Sequence, residues 1–238
     1  MTAGTSHLRD VLERKHLVKI DGIREPRHAA AAAMAGADLI GFIFAPARRQ
    51  VTPDTAAACI AAARASVSGR AFATVGVFVD ASAAEIRSIV ALSGVDLVQL
   101  HGDETPELLA DVPVPAFKAF RPQPGIAGAA LLSEIGRFDE APKPPAGILI
   151  DGYDPSASGG TGTRADWDLA AEVAAKRPIL VAGGLNPENV RDAIRVVLPW
   201  GVDVSSGVEV DGVKDAARIE AFIHAARAAF REQGGLRS

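Results

Sequence analysis

The chain of 238 residues has a single cysteine, one tyrosine and two tryptophans. One cysteine excludes an intramolecular disulfide and suits a reducing compartment, so a cytoplasmic protein is expected. Cys59 lies in the run Thr55-Ala-Ala-Ala-Cys-Ile-Ala-Ala-Ala-Arg64, where a small buried hydrophobe is expected rather than a nucleophile. No stretch approaches the ~18 apolar residues of a membrane span. Residues 1–16 hold Arg, Asp, Glu, Lys and two His, with no apolar centre of the kind a signal peptide carries. An excess of positive charge is missing too. A formal charge of -4 argues against nucleic acid or an anionic membrane as the main partner, and leaves room for a local basic pocket for a small anion. Aromatics are 5% and hydrophobics 48%, so the core must be built from Ala, Val, Ile and Leu. That composition suits helices packed tightly over parallel strands.

What is present is a regular alternation. Residues 1–16 read as an N-terminal extension. Ser6–Lys15 can form about two turns of amphipathic helix with Leu8, Val11 and Leu12 on one side, expected to pack on the outside of the domain or to fray. From Leu17 onward, β-branched-rich runs fall at Leu17–Ile20, Asp38–Phe44, Ala73–Val79, Asp96–Leu100, Ala116–Ala119, Gly147–Ile150, Ile179–Ala182 and Val202–Val204. Helical patterns follow at Arg27–Ala35, Pro53–Ser66, Ala83–Leu92, Pro106–Asp111, Ile126–Ile135, Trp167–Ala175, Pro187–Val197 and Ala216–Arg231. Alternating strands and helices predict βαβ units, and eight of each predict a single-domain (β/α)8 barrel over residues 17–238. Thr52-Pro53 and Asn186-Pro187 offer a cap followed by Pro at the first helical position. Ser82 precedes Glu85 at capping-box spacing. In the last helix Ile219, Phe222, Ile223, Ala226 and Phe230 form one apolar stripe.

In such a barrel the site is built from the loops after each strand. The first strand ends at Asp21-Gly22, and Asp151 closes Gly147-Ile-Leu-Ile-Asp151, the one later carboxylate read as matching it. The loops after the seventh and eighth strands carry Gly183-Gly184 and Ser205-Ser206-Gly207. Backbone N–H groups and hydroxyls there, at a helix start, are where barrels commonly hold a phosphate. The bland alternative, glycines that merely permit tight turns, is less favoured for two such loops together. The sixth loop adds the glycine-rich Ser158–Thr163. Arg48 and Arg49 follow the second strand; one is expected at the surface and the other on a substrate carboxylate, which suits a planar guanidinium. His101 follows the fourth strand and is balanced between a structural role and a site role. Asp103 and Glu104 read as a helix start, because no His, Asp and Glu set has ligand spacing. Lys118 reads equally as a surface residue whose stem is buried.

Several motifs carry a resemblance. Lys19-Ile-x-Gly-Ile, Ala35-Gly-Ala-Asp-Leu-Ile-Gly-Phe-Ile-Phe44, Val75-Gly-Val-Phe-Val79, Val98-Gln-Leu-His-Gly-Asp-Glu104, Gly159-Gly-Thr-Gly162 with Asp166-Trp167, Ala182-Gly-Gly-Leu-Asn-Pro-Glu-Asn-Val190 and Trp200-Gly-Val-Asp-Val-Ser-Ser-Gly-Val-Glu209 occur in one order. From about Val18 to Arg227 the chain resembles the phosphoribosylanthranilate isomerases of tryptophan biosynthesis. The resemblance implies a barrel with no cofactor and no metal, acting on a small phosphosugar, as a monomer or a homodimer. The reaction it implies is the Amadori rearrangement of N-(5-phosphoribosyl)anthranilate to the carboxyphenylamino-deoxyribulose phosphate. It assigns the general acid to Asp151 and the substrate-binding arginine to Arg49, with Arg48 still open. It leaves His101, Gly183, Gly184, Ser205, Ser206 and Gly207 to bind substrate.

The family's general base is a cysteine in a Lys-Ile-Cys-Gly motif, and that position here is Asp21. A smaller departure is Thr163-Arg164-Ala165 where the family usually has Lys-Thr-Phe. The reaction needs an acid to open the furanose ring and a base to take the C2′ proton, and a carboxylate is a legitimate base. The related isomerase of histidine biosynthesis uses two aspartates for the same rearrangement. Two carboxyls across one barrel mouth are expected to push their proton affinities apart, supplying acid and base together. The expected roles are Asp151 protonating the ring oxygen and Asp21 taking the C2′ proton. Two other readings stand behind this one: an isomerase with histidine-pathway or dual substrate range, and a non-catalytic phosphosugar-binding homologue.

Overall fold

The computed structural model describes residues 3–152 and 165–235. Its strands β1 Leu17–Ile20, β2 Leu39–Ile43, β3 Ala73–Phe78, β4 Leu97–Leu100, β5 Ala116–Phe120, β6 Gly147–Ile150, β7 Ile179–Val181 and β8 Gly201–Val204 pair in parallel and in sequence order. β8 returns to β1, in the register Lys19↔Asp203 and Ile20↔Val204, and closes the barrel. Helices α1 Ala3–Leu12, α2 Pro26–Ala35, α3 Pro53–Ser66, α4 Ala83–Ser93, α5 Leu108–Asp111, α6 Gly128–Asp139, α7 Trp167–Ala174, α8 Val190–Val197 and α9 Ala216–Gly235 complete the order. The expected (β/α)8 architecture is therefore the observed one, with most element ends within two residues of the sequence pattern. No described helix is long and apolar enough to cross a membrane.

Side chains alternate across each strand. Val18, Ile20, Ile40, Phe42, Val98, Ile148, Ile150, Val202 and Val204 point outward and meet the helices in one buried cluster. Leu17, Leu39, Ala73, Leu97, Phe117, Leu149 and Leu180 point inward and fill the lower barrel. The stripe expected on α9 packs into the outer cluster, with Ile219 and Phe222 fully buried. Cys59 is buried in α3, and burial pushes its thiol up to about 11, which suits a hydrophobe and not a nucleophile.

Helix starts follow the predicted chemistry with one exception. Thr52 Oγ1 accepts from the Thr55 N–H at 3.2 Å, and Ser82 Oγ from the Glu85 N–H at 3.2 Å. Asn186 Oδ1 accepts from the N–H groups of Glu188 and Asn189, but it caps a turn. The helix proper begins at Val190, so Pro187 is not its first residue.

Rather than lying on the outside, α1 closes the barrel's lower end. Val11 is fully buried in the interior cluster with Leu17 and Leu180, and Leu8 and Leu12 pack against it. A His7 ring nitrogen bonds the Phe72 carbonyl at 2.7 Å. Nearby Asp38, just before β2, accepts from the Val18 N–H at 2.9 Å and from Arg14 at 3.1 Å. It also pairs with Arg227 and, at 3.5 Å, with Arg70. One buried carboxylate thus ties the turn after α1, α9 and the chain before β3 to the barrel floor. Breaking such a group by removing one partner leaves buried charge uncompensated, at about 3–5 kcal/mol. Asp38→Ala should lower the thermal midpoint markedly, measured by calorimetry, while turnover per folded molecule stays near that of the parent, because Asp38 lies at the end of the barrel opposite Asp21 and Asp151.

Candidate active site

The mouth of the barrel is built on strand parity. Lys19 sits two residues beyond inward-facing Leu17, and Asp21 two beyond Lys19, so both continue the inner face. The register sets Lys19 beside Asp203. Lys19 Nζ donates to Asp203 Oδ2 at 2.9 Å and lies 3.3 Å from Asp21 Oδ1. All three side chains are buried, Lys19 completely. Asp203 Oδ1 has no hydrogen-bond donor among the described residues, whereas Asp21 Oδ1 has the Lys19 ammonium beside it. Gly41 on β2 makes room for Asp21, since a Cβ there would come within 1.8 Å of Oδ1.

Charge follows from this crowding. Burial works to lower the Lys19 ammonium, yet Asp203 and Asp21 outweigh it and hold its pKa above the ordinary value. Burial pushes the Asp203 carboxyl up to about 7, against the pull of Lys19 and with the help of Asp21 and Asp151. Asp203 thus feels both carboxylates singled out from the sequence. It was itself missed, and Asp151 is not the only later carboxylate at the mouth.

Asp151 is held from two sides. Its Oδ1 accepts from the Gly152 N–H at 2.7 Å, and its Oδ2 lies 3.2 Å from His101 Nε2. His101 Nδ1 is 2.8 Å from Gln99 Nε2. An amide nitrogen only donates, so Nδ1 accepts and Nε2–H points at Asp151. The imidazole thus bridges Gln99 and Asp151.

The two arginines part company. Arg49 is buried, its side chain 7% exposed against 56% for Arg48. Both bond Glu209: Arg49 through Nε at 2.6 Å and Nη2 at 2.9 Å, Arg48 through Nη2 at 2.7 Å. Gly22, at φ 70°, leaves space for the Arg49 stem and for Ser205 Oγ, which a Cβ would meet at 2.7 and 3.0 Å. Glu209 belongs to a hairpin that the strand pattern did not foresee, β9 Glu209–Val210 and β10 Val213–Lys214, turning at Asp211 and Gly212 with φ 49° and 78°. Lys214 of this hairpin donates to the Ser205 carbonyl at 2.8 Å and to Glu209 Oε1 at 3.1 Å. Burial lowers its ammonium to about 8 despite Glu209. Burial alone would raise the Glu209 carboxyl; bonds from Arg49 and the charges of Lys214 and Arg49 instead hold it at about 2.

The two glycine loops differ from the expected helix starts, because α8 begins only at Val190, beyond Gly183 and Gly184. Gly183 and Gly184 have φ 87° and 62°, and Ser206–Val208 is a 3-10 turn directly after β8 and Ser205. A Cβ on Gly207 would lie 1.8 Å from the Leu185 carbonyl oxygen, so the two loops are in contact there. The glycine-rich loop Ser158–Thr163 lies outside the described residues. Asp103 and Glu104 serve structure: Glu104 accepts from the N–H groups of Asp80 and Gly102, both at 3.0 Å. Lys118 faces outward from β5 but is no surface residue, being buried and bonded to Glu104 at 2.9 Å. Among the described residues no group of His, Cys, Asp and Glu is arranged to hold a metal ion.

Comparison with known proteins converges. The family model for N-(5'phosphoribosyl)anthranilate (PRA) isomerase matches residues 18–225. An N-(5'-phosphoribosyl)anthranilate isomerase of Roseiflexus sp. (strain RS-1) is 48% identical over 215 residues, covering 89% of this chain and 98% of the relative. The phosphoribosyl anthranilate isomerase of Thermotoga maritima superposes with a TM-score of 0.75 at 32% identity, covering 90% of this chain and 99% of that one. An isomerase solved with reduced 1-(o-carboxyphenylamino)-1-deoxyribulose 5-phosphate gives 0.72 at 31%, with 90% and 99% covered. A family match over this span, on a closed barrel whose mouth gathers Asp21, Asp151 and Arg49, makes the chain a member of the N-(5'-phosphoribosyl)anthranilate isomerase family.

Proposed function

We propose that the chain converts N-(5-phosphoribosyl)anthranilate to 1-(2-carboxyphenylamino)-1-deoxyribulose 5-phosphate, with an aspartate doing what a cysteine does in most of its family. The observation that carries this is Asp21: a buried carboxylate at the end of β1, with the Lys19 ammonium 3.3 Å beneath its Oδ1. Asp151 delivers a proton to the ring oxygen and the C1′–O bond opens to a Schiff base. His101 keeps Asp151 aimed at that oxygen. Asp21 then removes the C2′ proton, and the electron pair flows toward the nitrogen. Positioned acid–base groups of this kind supply about 10²–10⁴ in rate.

The two ends of the substrate are anions, and the mouth offers a place for each. Gly183, Gly184, Ser205, Ser206 and Gly207 cradle the phosphate, as the loops after the last two strands do in many barrels. Arg49, buried beside Gly22, takes the anthranilate carboxylate, while Glu209 holds its guanidinium plane in place. Arg48, mostly exposed, closes the outer side of Glu209. Two catalytic aspartates also favour a second reading, a histidine-pathway phosphoribosyl substrate in place of or beside this one.

The decisive assay generates phosphoribosylanthranilate in situ and follows its loss, with the histidine-pathway substrate in a parallel arm. Turnover of the first and not the second is expected. Asp21→Asn should lower kcat by about 10²-fold or more. Near-normal turnover in that variant sinks the assignment of the base.

Glu209 supplies a further test through pH. Its carboxyl stays ionised in the folded chain down to about 2, whereas unfolded it takes up a proton near 4.5. The resulting stability is fully present above about 4.5 and is lost as pH falls toward 2, up to about 3 kcal/mol. Denaturant titrations from pH 6 to pH 2 should show a shallower acid decline in Glu209→Gln than in the parent. The same variant should raise KM more than it lowers kcat, because Arg49 loses its bidentate support.

A further inference from the structure

Three acidic side chains reach the upper barrel beside Lys19, and the reaction above uses two. Asp203 is the third. Its Oδ2 is engaged by Lys19, and its Oδ1 is buried without any donor among the described residues. A buried acceptor left unsatisfied is destabilising, so such an oxygen at a reaction site calls for an explanation. The Lys19 bond also fixes which oxygen is presented. Strand order adds the rest: β8 lies next to β1, which carries Asp21, and one strand from β6, whose end carries Asp151.

We propose that Asp203 is a third catalytic carboxyl of this site, whose Oδ1 takes the proton of the sugar's 2′-hydroxyl as the enol at C2′ becomes the ketone. This rests on the isomerase reading above and adds the step that reading leaves without a residue. After Asp151 has opened the ring and Asp21 has taken the C2′ proton, the sugar is an enolamine with a C1′=C2′ double bond. Ketone formation breaks the O2′–H bond, and its electron pair forms C2′=O. The C1′=C2′ pair forms a new C1′–H bond with the proton held on Asp21. Asp203 leaves the step with the hydroxyl proton and returns it to solvent as product departs, while Asp151 regains the one it gave. Asp21 ends as it began, and no oxidant, reductant or other reactant is needed. A carboxylate near 7 suits this step, because a base whose affinity lies near working pH accepts and releases protons readily. The charged groups facing it are Lys19 and Asp21 from β1 and Asp151 from the end of β6. The β7 residues Ile179, Leu180 and Val181 add none.

The test uses the full chain with C2′-deuterated substrate. Asp203→Asn keeps an oxygen for Lys19 and leaves Lys19 beside Asp21, but removes the proton acceptor. A fall in kcat of about 10–100-fold is expected, with more C2′ deuterium lost to water from unreacted substrate per turnover than in the parent, since the enolamine then returns to the Schiff base more often than it goes on to the ketone. A kcat within twofold of the parent overturns the proposal. So does a deuterium loss per turnover no greater than the parent's, which would mean that the change acts by disturbing Asp21. Should the variant fail to fold, the unaltered chain decides: as pH falls through about 7, where Asp203 takes up a proton, deuterium loss per turnover should rise. A constant or falling loss overturns the idea. A parent without turnover fails both readings, whereas an active parent with an unresponsive Asp203 fails this one alone.

Discussion

An ammonium group buried without exposure to water holds the upper barrel together. Lys19 lies beneath the mouth with Asp203 at 2.9 Å and Asp21 at 3.3 Å. Taking such an ion out of water costs several kcal/mol, recovered only when its partners are close and well placed. Here the partner is set by barrel closure itself, because the β1–β8 register pairs Lys19 with Asp203. Closure therefore does more than remove sheet edges: a slip of one residue would turn Lys19 outward among the apolar helices. The geometry of the barrel mouth and the correctness of the fold depend on the same pairing.

The second charged cluster works differently. Arg48, Arg49 and Lys214 converge on one carboxylate, Glu209, leaving an excess of positive charge at the rim. A chain with a net charge of -4 can thus present a cationic face to a doubly anionic substrate. Glu209 keeps these cations close without neutralising them, and the hairpin at Asp211-Gly212 brings it there. The barrel mouth is consequently divided, with carboxylates over the centre and cations toward one side.

Much of this was legible in the chain. Alternating runs and caps gave the barrel, and Asp21 and Asp151 stood out because each follows an apolar strand directly. Lys19 and Asp203 did not, because they interrupt short apolar runs, where a polar residue reads as a break in pattern. Parity was the available signal: Lys19 is two from Leu17 and Asp21 is two from Lys19, which assigns all three to the inner face. The hairpin also had its mark, since Asp211-Gly212 between Val210 and Val213 is a standard type of tight turn. Its strands are only two residues each, too short for alternation to register. The lower role of α1 was hidden for a different reason: amphipathicity shows that a face is buried but not which opening it covers. For Arg48 and Arg49 sequence adjacency gives no ranking, and only the space beside Gly22 separates them.

The aspartate at position 21 changes more than the base. With a neutral side chain there, Lys19 and Asp203 alone would form a balanced pair. A carboxylate adds a second negative charge to the same ammonium, and Coulomb repulsion at this range in a protein interior amounts to several kcal/mol. The effect appears in the carboxyl of Asp203, raised first by burial and further by Asp21 and Asp151. Burial is the larger cause of that rise, and the carboxylate at position 21 adds to it across the shared ammonium. Position 21 is thus coupled to position 203 through Lys19, so a change at one bears on the charge of the other.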